Sequence, residues 1–490
     1  MRNIVPVFCC LISLVGLEVL PCTIVSGKTE DGVVWAGNNE DYYFDFNTYL
    51  NVLPPKDDLL GAVSFTYGSP GSFVEGGFNE HGLFFDFNWI PTIAPSQIAD
   101  WGERQEFRGG DDKLAVHILR TCSSVDEAIA VIKKYDIDLA DAQMHLADRH
   151  GNLAIINASG IRIPDTNHQV STNFNVLTRG PSSGGRMCWR YPIAERSLAR
   201  QDVGLQSIRN ALDATQQPRF YGTIYSNVIN LTTGDVYNYY AGDFEHVFHF
   251  KLADLLKEGE KSYLFRSLFP DAPIVRIWET YQAKGANDAV ALFRELRDTL
   301  PRERSEETLR HLFSSCLLRV NRFRDAKVFF DEWLKVSGGR DQAANLYNAL
   351  IHLANGDYEN AKTLLKEQIK ADAADELVQK AYSPFAKDLL ARLEGEKPPG
   401  ANAHFELKGY QGAEFVCLFL VEDAPVMNFL LKTPEGWYGD FNLPSGKTPY
   451  AFVIDGETVL DPSNPEREIV DVEEGKIELN LKEVNSPPRR

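Results

Sequence analysis

Cys22-Thr23-Ile24-Val25-Ser26-Gly27-Lys28-Thr29-Glu30-Asp31-Gly32-Val33-Val34-Trp35-Ala36 is the stretch on which the fold turns. Two short apolar runs, Thr23 to Ser26 and Val33 to Ala36, flank a polar turn that carries Gly27 and Gly32, which is the pattern of a β-hairpin. Cys22 therefore begins a strand. What precedes it is different in kind. Arg2 is followed by an apolar run from Ile4 to Leu17, too short to span a bilayer but suited to the core of an export signal. The run ends in Glu18-Val19-Leu20-Pro21-Cys22, and Pro21 stands where an ordinary signal has a small residue before the cut bond. The expectation is that residues 1–21 are lost, that Cys22 becomes the N-terminus, and that the protein is exported to the periplasm or the cell exterior. Two alternatives stay open: an acyl anchor on Cys22 that holds the chain at the cell surface, and an ordinary signal cut nearby.

Working outward, strand pairs recur at Gly61 to Tyr67 with Phe73 to Phe78, at Leu83 to Trp89, at Met144 to Ala147 with Leu153 to Asn157, and at Thr223 to Asn230 with Asp235 to Tyr240. Asp111 to Thr121 and Val125 to Tyr135 carry apolar residues at helical spacing, and Ser123 or Ser124 can cap the second. Strands interrupted by helices predict an α+β layered domain over 22–265. From 272 to 396 the composition is that of helices alone. Phe323 and Ala326 recur as Tyr358 and Ala361, a spacing of 35 residues, with Gly285 to Ala289 as a third copy. That is near the period of roughly 34 of tetratricopeptide-like helix pairs, and a plain helical bundle is the alternative. Glu396 to Gly400 reads as a linker, and 400–490 returns to strands at Phe415 to Leu420, Val426 to Leu431, Tyr450 to Ile454 and Lys476 to Leu481, a small β-sandwich.

Composition excludes more than it assigns. At 490 residues the chain holds two to four domains. Its 44% hydrophobic and 24% charged residues are those of a folded globular protein. A formal net charge of -19 disfavours nucleic acid and anionic membrane as partners. Beyond Cys9 and Cys10 in the leader, Cys22, Cys122, Cys188, Cys316 and Cys417 are scattered and odd in number, which fits neither a zinc site nor a disulfide framework. No metal and no organic cofactor is implied.

Cleavage before Cys22 would put a thiol and an α-amine on one residue, with reference pKa values of ~8.5 and ~8. An N-terminal amine that takes the proton of its own side-chain nucleophile is one solution to acyl transfer and needs no histidine. The ten histidines offer no convincing partner in any case, and His81, His117 and His145 read as turn or packing residues.

Cys22-Thr23, a hairpin, and then Gly37-Asn38-Asn39-Glu40-Asp41 resemble the opening of the N-terminal nucleophile hydrolases that include penicillin V acylase, choloylglycine (bile salt) hydrolase and isopenicillin N acyltransferase. Asn79-Glu80-His81-Gly82-Leu83 with Asp86-Phe87-Asn88-Trp89, Val170-Ser171-Thr172-Asn173, and Arg190-Tyr191 resemble further motifs of that family, in the same order. The resemblance covers 22 to about 265 and implies a four-layer αββα sandwich acting on a linear amide. It implies Cys22 as nucleophile and Asp41 as acceptor for its α-amine. It also implies Asn88 and Asn173 as donors to the oxyanion or as groups that position the amine, and Arg190 as a cation that lowers the thiol pKa. Asn38 departs from the family pattern, which has a second Arg there, and Trp89 lies near the site. The aromatic clusters Tyr42-Tyr43-Phe44-Phe46 and Phe84-Phe85-Phe87-Trp89 are candidates for an acyl pocket, about half of them core by strand alternation. A water or an amine acceptor suits the same site, so acyl transfer stays open beside hydrolysis of a small-molecule acyl amide. An inactive exported scaffold that docks a protein through the helices stays open as well.

The last ninety residues resemble the glycogen-binding and early-set β-sandwich modules, through Phe405-Glu406-Leu407, Gly436-Trp437, Leu443-Pro444-Ser445-Gly446 and Tyr450 to Gly456. The loop Glu422 to Phe429 lacks the Trp with which such modules hold a glycan, so a packing or partner-docking role is favoured over glycan binding.

Overall fold

The computed structural model describes residues 22–71, 73–178, 188–200, 202–217, 222–300, 302–319, 322–338, 344–372, 383–398, 400–420, 428–472 and 475–485. They divide into two compact units, one running to Arg276 and one from Ile277.

The first unit is built on two antiparallel sheets. Its strands are β1 (Thr23–Lys28), β2 (Val34–Tyr42), β3 (Thr48–Leu53), β4 (Ala62–Tyr67), β5 (Val74–Asn79), β6 (Phe84–Trp89), β7 (Gln105–Glu106) and β8 (Tyr135–Asp136). They continue as β9 (Ala142–Ala147), β10 (Leu153–Asn157), β11 (Gly160–Arg162), β12 (His168–Ser171), β13 (Gly222–Asn230), β14 (Asp235–Tyr240), β15 (Asp243–Lys251) and β16 (Lys261–Leu264). One sheet has the order β12-β1-β2-β13-β14-β15, the other β11-β10-β9-β6-β5-β4-β3-β16. Helices α1 (Asp111–Thr121) and α2 (Val125–Lys134) cover the outer face of the eight-stranded sheet, where Leu114, Ile118 and Ile132 pack on Phe85, Met144, Leu146 and Ile156. Ser124 caps α2 by accepting the Glu127 N–H at 3.3 Å. Helices α3 (Arg190–Ala199) and α4 (Leu205–Asp213) cover the other sheet, with Tyr191, Ala194, Ile208 and Leu212 on Val25, Val170 and Val228. Each large apolar side chain among them contributes ~1.5–3 kcal/mol by leaving water.

The inner faces meet through hydrogen bonds as well as apolar packing. Ser26 Oγ lies 2.8 Å from His145 Nε2, Gln143 Nε2 donates to the Thr172 carbonyl at 2.7 Å, and Gln169 Nε2 donates to that of Leu146 at 2.7 Å. Helix, sheet, sheet and helix make four layers, the αββα arrangement of an α+β domain.

The hairpin expected after Cys22 is present, but β2 runs further than its apolar residues. Asn38-Asn39-Glu40-Asp41, which also suits a loop, forms its second half, paired to β1 on one side and β13 on the other. Gly37 permits this. A β-carbon there would lie 2.6 Å from the Asn227 carbonyl oxygen and 2.7 Å from the Ile208 side chain of α4.

In the second unit the helices are α5 (Pro273–Lys284), in which the division falls, α6 (Ala286–Leu296), α7 (Arg302–Ser314), α8 (Phe323–Ser337), α9 (Ala344–Ala354), α10 (Tyr358–Asp372) and α11 (Ser383–Leu393). The repeat-bearing residues Phe323 and Tyr358 open α8 and α10, and Ala326 and Ala361 are fully buried one turn later. Strands β17 (Ala403–Lys408), β19 (Leu431–Lys432) and β20 (Gly436–Phe441) form one terminal sheet. β18 (Val416–Leu420), β21 (Gly446–Ile454), β22 (Glu457–Val459), β23 (Arg467–Val472) and β24 (Gly475–Val484) form the other. The helices and the sandwich pack on each other: Tyr358 adjoins the sandwich core, and the Phe323 and Phe415 rings meet edge to face at 5.3 Å. Among the described residues no helix is long and apolar enough to cross a membrane.

Candidate functional site

Antiparallel register dictates what faces Cys22. Thr23 pairs with Asn39 and Ile24 with Asn38, so Cys22 at the head of β1 lies opposite Glu40. Strand alternation turns Val25 toward the helices and Ser26 toward the second sheet, so Cys22 and Ile24 point inward with Ser26. The Cys22 thiol is 1% exposed and donates to Glu40 Oε1 at 2.8 Å. The same carboxylate oxygen accepts the Tyr67 hydroxyl at 2.8 Å, and Glu40 Oε2 accepts the Asn38 amide at 3.4 Å. Asn38 in turn accepts from Asn227 at 3.0 Å.

The sequence motifs come together around this pair. The Asp41 main-chain N–H hydrogen-bonds the Cys22 sulfur, while its carboxylate accepts Thr223 Oγ1 at 2.5 Å and Arg190 Nη1 at 3.4 Å. Arg190, first residue of α3 and 3% exposed, also donates from Nη1 to the Cys22 carbonyl at 2.9 Å and to Thr23 Oγ1 at 3.1 Å. Its Nη2 donates to Asn173 Oδ1 at 2.7 Å, and the Asn173 amide donates to the Trp89 carbonyl at 2.8 Å. Asn88, on the same face of β6 as Asp86, is fully buried, and neither its amide nitrogen nor its oxygen has a hydrogen-bond partner among the described residues.

Electrostatics differ from what the resemblance implies for Arg190. Burial first, then the charges of Glu40 and Asp41, push the Cys22 thiol well above its ordinary range, against the Asp41 N–H, which draws it down. The guanidinium hydrogen-bonds the carbonyl, hydroxyl and carboxylate oxygens around Cys22, and it does not make the thiolate the resting form. Burial also raises Glu40 to about 7, opposed by its hydrogen bonds from Cys22, Tyr67 and Asn38. Glu75 and Asp86 face Glu40 from the other sheet and are pushed well up, first by burial and then by the charge of Glu40, with Asp112 adding to the rise of Glu75 and Glu75 to that of Asp86. Among the described residues no group of three or more His, Cys, Asp or Glu has the arrangement of a metal site.

Sequence reasoning passed over Glu40, Tyr67 and Thr223. Glu40 stands inside the quoted motif, and counting hairpin register from Thr23 would have placed it against the thiol. Tyr67 and Thr223 come from strands whose alignment only the folded sheets provide. Of the two aromatic clusters, Phe85 and Phe87 join the core beneath α1 and α2, and Phe84 packs between the sheets on His145. Tyr42, Phe46, Tyr67, Phe73 and Trp89 form a run of rings with successive centroids 4.3 to 6.5 Å apart, with Tyr67, the tyrosine bound to Glu40, at its middle. In the terminal sandwich Trp437 is fully buried and donates to the Tyr410 carbonyl at 3.2 Å, so it is core. Residues 421–427, most of the loop that decides the glycan question, lie outside the described residues.

No protein-family model matches the sequence, and no curated protein matches it. Among solved structures, the chain is similar to two variants of the conjugated bile acid hydrolase from Clostridium perfringens, each at 12% identity and TM-score 0.39 over 49% of this chain and 96% of that one. It is also similar to penicillin V acylase from Agrobacterium tumefaciens, at 17% identity and TM-score 0.37 over 49% of this chain and 90% of that one.

Proposed function

We propose that this protein is an exported hydrolase of linear, non-peptide amide bonds, cut before Cys22, with the Cys22 sulfur as nucleophile. The observation that carries the reading is the environment of Cys22. A thiol at the head of an interior strand points toward the second sheet, held by a carboxylate and a main-chain N–H, and the Asn88 amide on β6 of that second sheet is buried without a partner among the described residues.

The reaction runs in two halves. Sulfur attacks the amide carbonyl carbon as its proton is taken up, and the oxyanion forms against the Asn88 amide. The carbon–nitrogen bond breaks, the amine leaves with the proton, and a thioester remains on Cys22. Water then adds to the thioester, releasing the acid and restoring the thiol. Arg190 holds the Cys22 main chain, and Asp41 and Asn173 fix the guanidinium. The aromatic run from Tyr42 to Trp89 suits an apolar acyl group.

The test is intact-mass and N-terminal analysis of protein from its native compartment, together with assays of wild type and Cys22→Ala on linear amides that differ in acyl chain. A free Cys22 terminus with turnover absent from the variant is expected. A lipid on Cys22, a terminus elsewhere, or equal turnover by the variant would overturn the reading.

A further inference from the structure

We infer that Glu40 is a catalytic residue of this site, the group that receives the Cys22 thiol proton as sulfur attacks. The inference rests on the proposed nucleophilic role of Cys22 and assigns the base by geometry. Glu40 Oε1 is 2.8 Å from the sulfur, in line across the β1–β2 ladder and fully buried with it. A thiol held protonated by burial between carboxylates does not ionise by itself, so it needs an acceptor in hydrogen-bond contact at the moment of attack.

The α-amine is the other candidate base. Before the cut the Cys22 nitrogen belongs to the Pro21–Cys22 peptide bond and has no basic lone pair; after it the amine is free, and the Glu40 carboxylate is still the group in hydrogen-bond contact with the sulfur. The carboxylate is available in both states. The proton passes from Sγ to Oε1, the sulfur electron pair forms the new bond to carbon, and the proton returns from Oε1 to the departing nitrogen, so Glu40 ends each half-reaction as it began. Tyr67 and Asn38 steady the carboxylate as it gains and loses the proton. Among the described residues, the titratable groups that feel the charge of Glu40 are Cys22 on β1, Tyr67 on β4, Glu75 on β5, Asp86 on β6 and Tyr225 on β13, with Asp41 next to it on its own strand. None is a cation, which agrees with a carboxylate that changes protonation near neutrality.

The experiment needs no substrate. The protein is treated with iodoacetamide between pH 5 and 10, both with residues 1–21 attached and cut before Cys22, and alkylation of the Cys22 peptide is followed by mass spectrometry in wild type, Glu40→Gln, Glu40→Asp and Tyr67→Phe. Wild type should show a rise with an inflection near pH 7, where Glu40 ionises. Glu40→Gln should lose that inflection and react at least tenfold more slowly at pH 8, with Glu40→Asp between the two. Tyr67→Phe, which removes a bond that favours the ionised carboxylate, should move the inflection to higher pH. If Glu40 only burdens the thiol with its charge, Glu40→Gln will react faster than wild type, and that outcome overturns the inference. Circular dichroism that matches wild type confirms that each variant is folded. Failure of every amide to turn over would sink the proposed hydrolysis and leave this readout intact.

Discussion

Arg190 Nη2 donates to Asn173 Oδ1 at 2.7 Å, while Nη1 of the same guanidinium reaches the Cys22 carbonyl at 2.9 Å. One planar side chain thus ties the nucleophile's main chain to the segment after β12 and to the buried Asp41. Replacing it with alanine leaves the Asp41 carboxylate inside the protein without its guanidinium, which typically costs about 3–5 kcal/mol. Arg190→Lys keeps a charge but not the fork, so it should keep more of the stability than of the activity. Urea unfolding beside turnover tests this. Arg190→Lys with wild-type turnover would show that the fork does not position Cys22.

Asn88 allows the opposite separation. Its amide makes no hydrogen bond among the described residues, so its removal takes away no bond seen there. Asn88→Ala should change unfolding free energy by under about 1 kcal/mol and lower kcat by ~10²–10³ with KM little altered. Equal losses of stability and activity would mean that the residue is structural.

Glu40 predicts an unusual stability profile. Glu40 is raised from 4.5 to about 7 in the folded protein. The folded state therefore binds more protons than the unfolded chain between those values, and stability falls as pH rises through that window. At 1.36 kcal/mol per unit the loss is on the order of 3 kcal/mol. His145, held neutral by burial and lowered to about 3, acts in the other direction: stability rises with pH from 3 to 6.5. The two overlap, so the cleaner measurement is the difference between wild type and Glu40→Gln, followed by urea unfolding from pH 4 to 8. That difference should move against wild type as pH rises. A flat difference would mean that Glu40 titrates at its ordinary value.

How far this was legible depends on where each residue's partner lies in the chain. The β1–β2 hairpin, α1 and α2 follow from local pattern, because turn residues and apolar periodicity lie within a dozen positions. The motif residues around Asp41, Asn88, Asn173 and Arg190 were found by resemblance, and the fold brings Asp41 and Asn173 to one guanidinium. α3 and α4 were not read as helices, although Tyr191, Ala194 and Leu198 carry a helical stripe. Polar neighbours dilute that stripe, and its apolar face has meaning only against the sheet. Tyr67 and Thr223 could not be placed at all, since each reaches the site through a pairing between distant strands.

The second unit permits a matched comparison at two helix ends. Gly356 after α9 and Gly395 after α11 both have positive φ, 72° and 89°, and both close their helices through bonds back to the last turn. A β-carbon at Gly395 would meet nothing within 4 Å, whereas at Gly356 it would lie 2.6 Å from the Glu414 carbonyl oxygen of the sandwich. Alanine at either position bears the left-handed backbone cost of about 1 kcal/mol. Only Gly356→Ala adds a collision with main chain, for a total of about 2–4 kcal/mol. If the helices and the sandwich unfold as one body, that variant should lower a single cooperative transition, followed by tryptophan fluorescence, by more than Gly395→Ala does. Equal effects of the two variants would show that the sandwich can move off the Gly356 turn without cost, and that the two parts are coupled only through the linker.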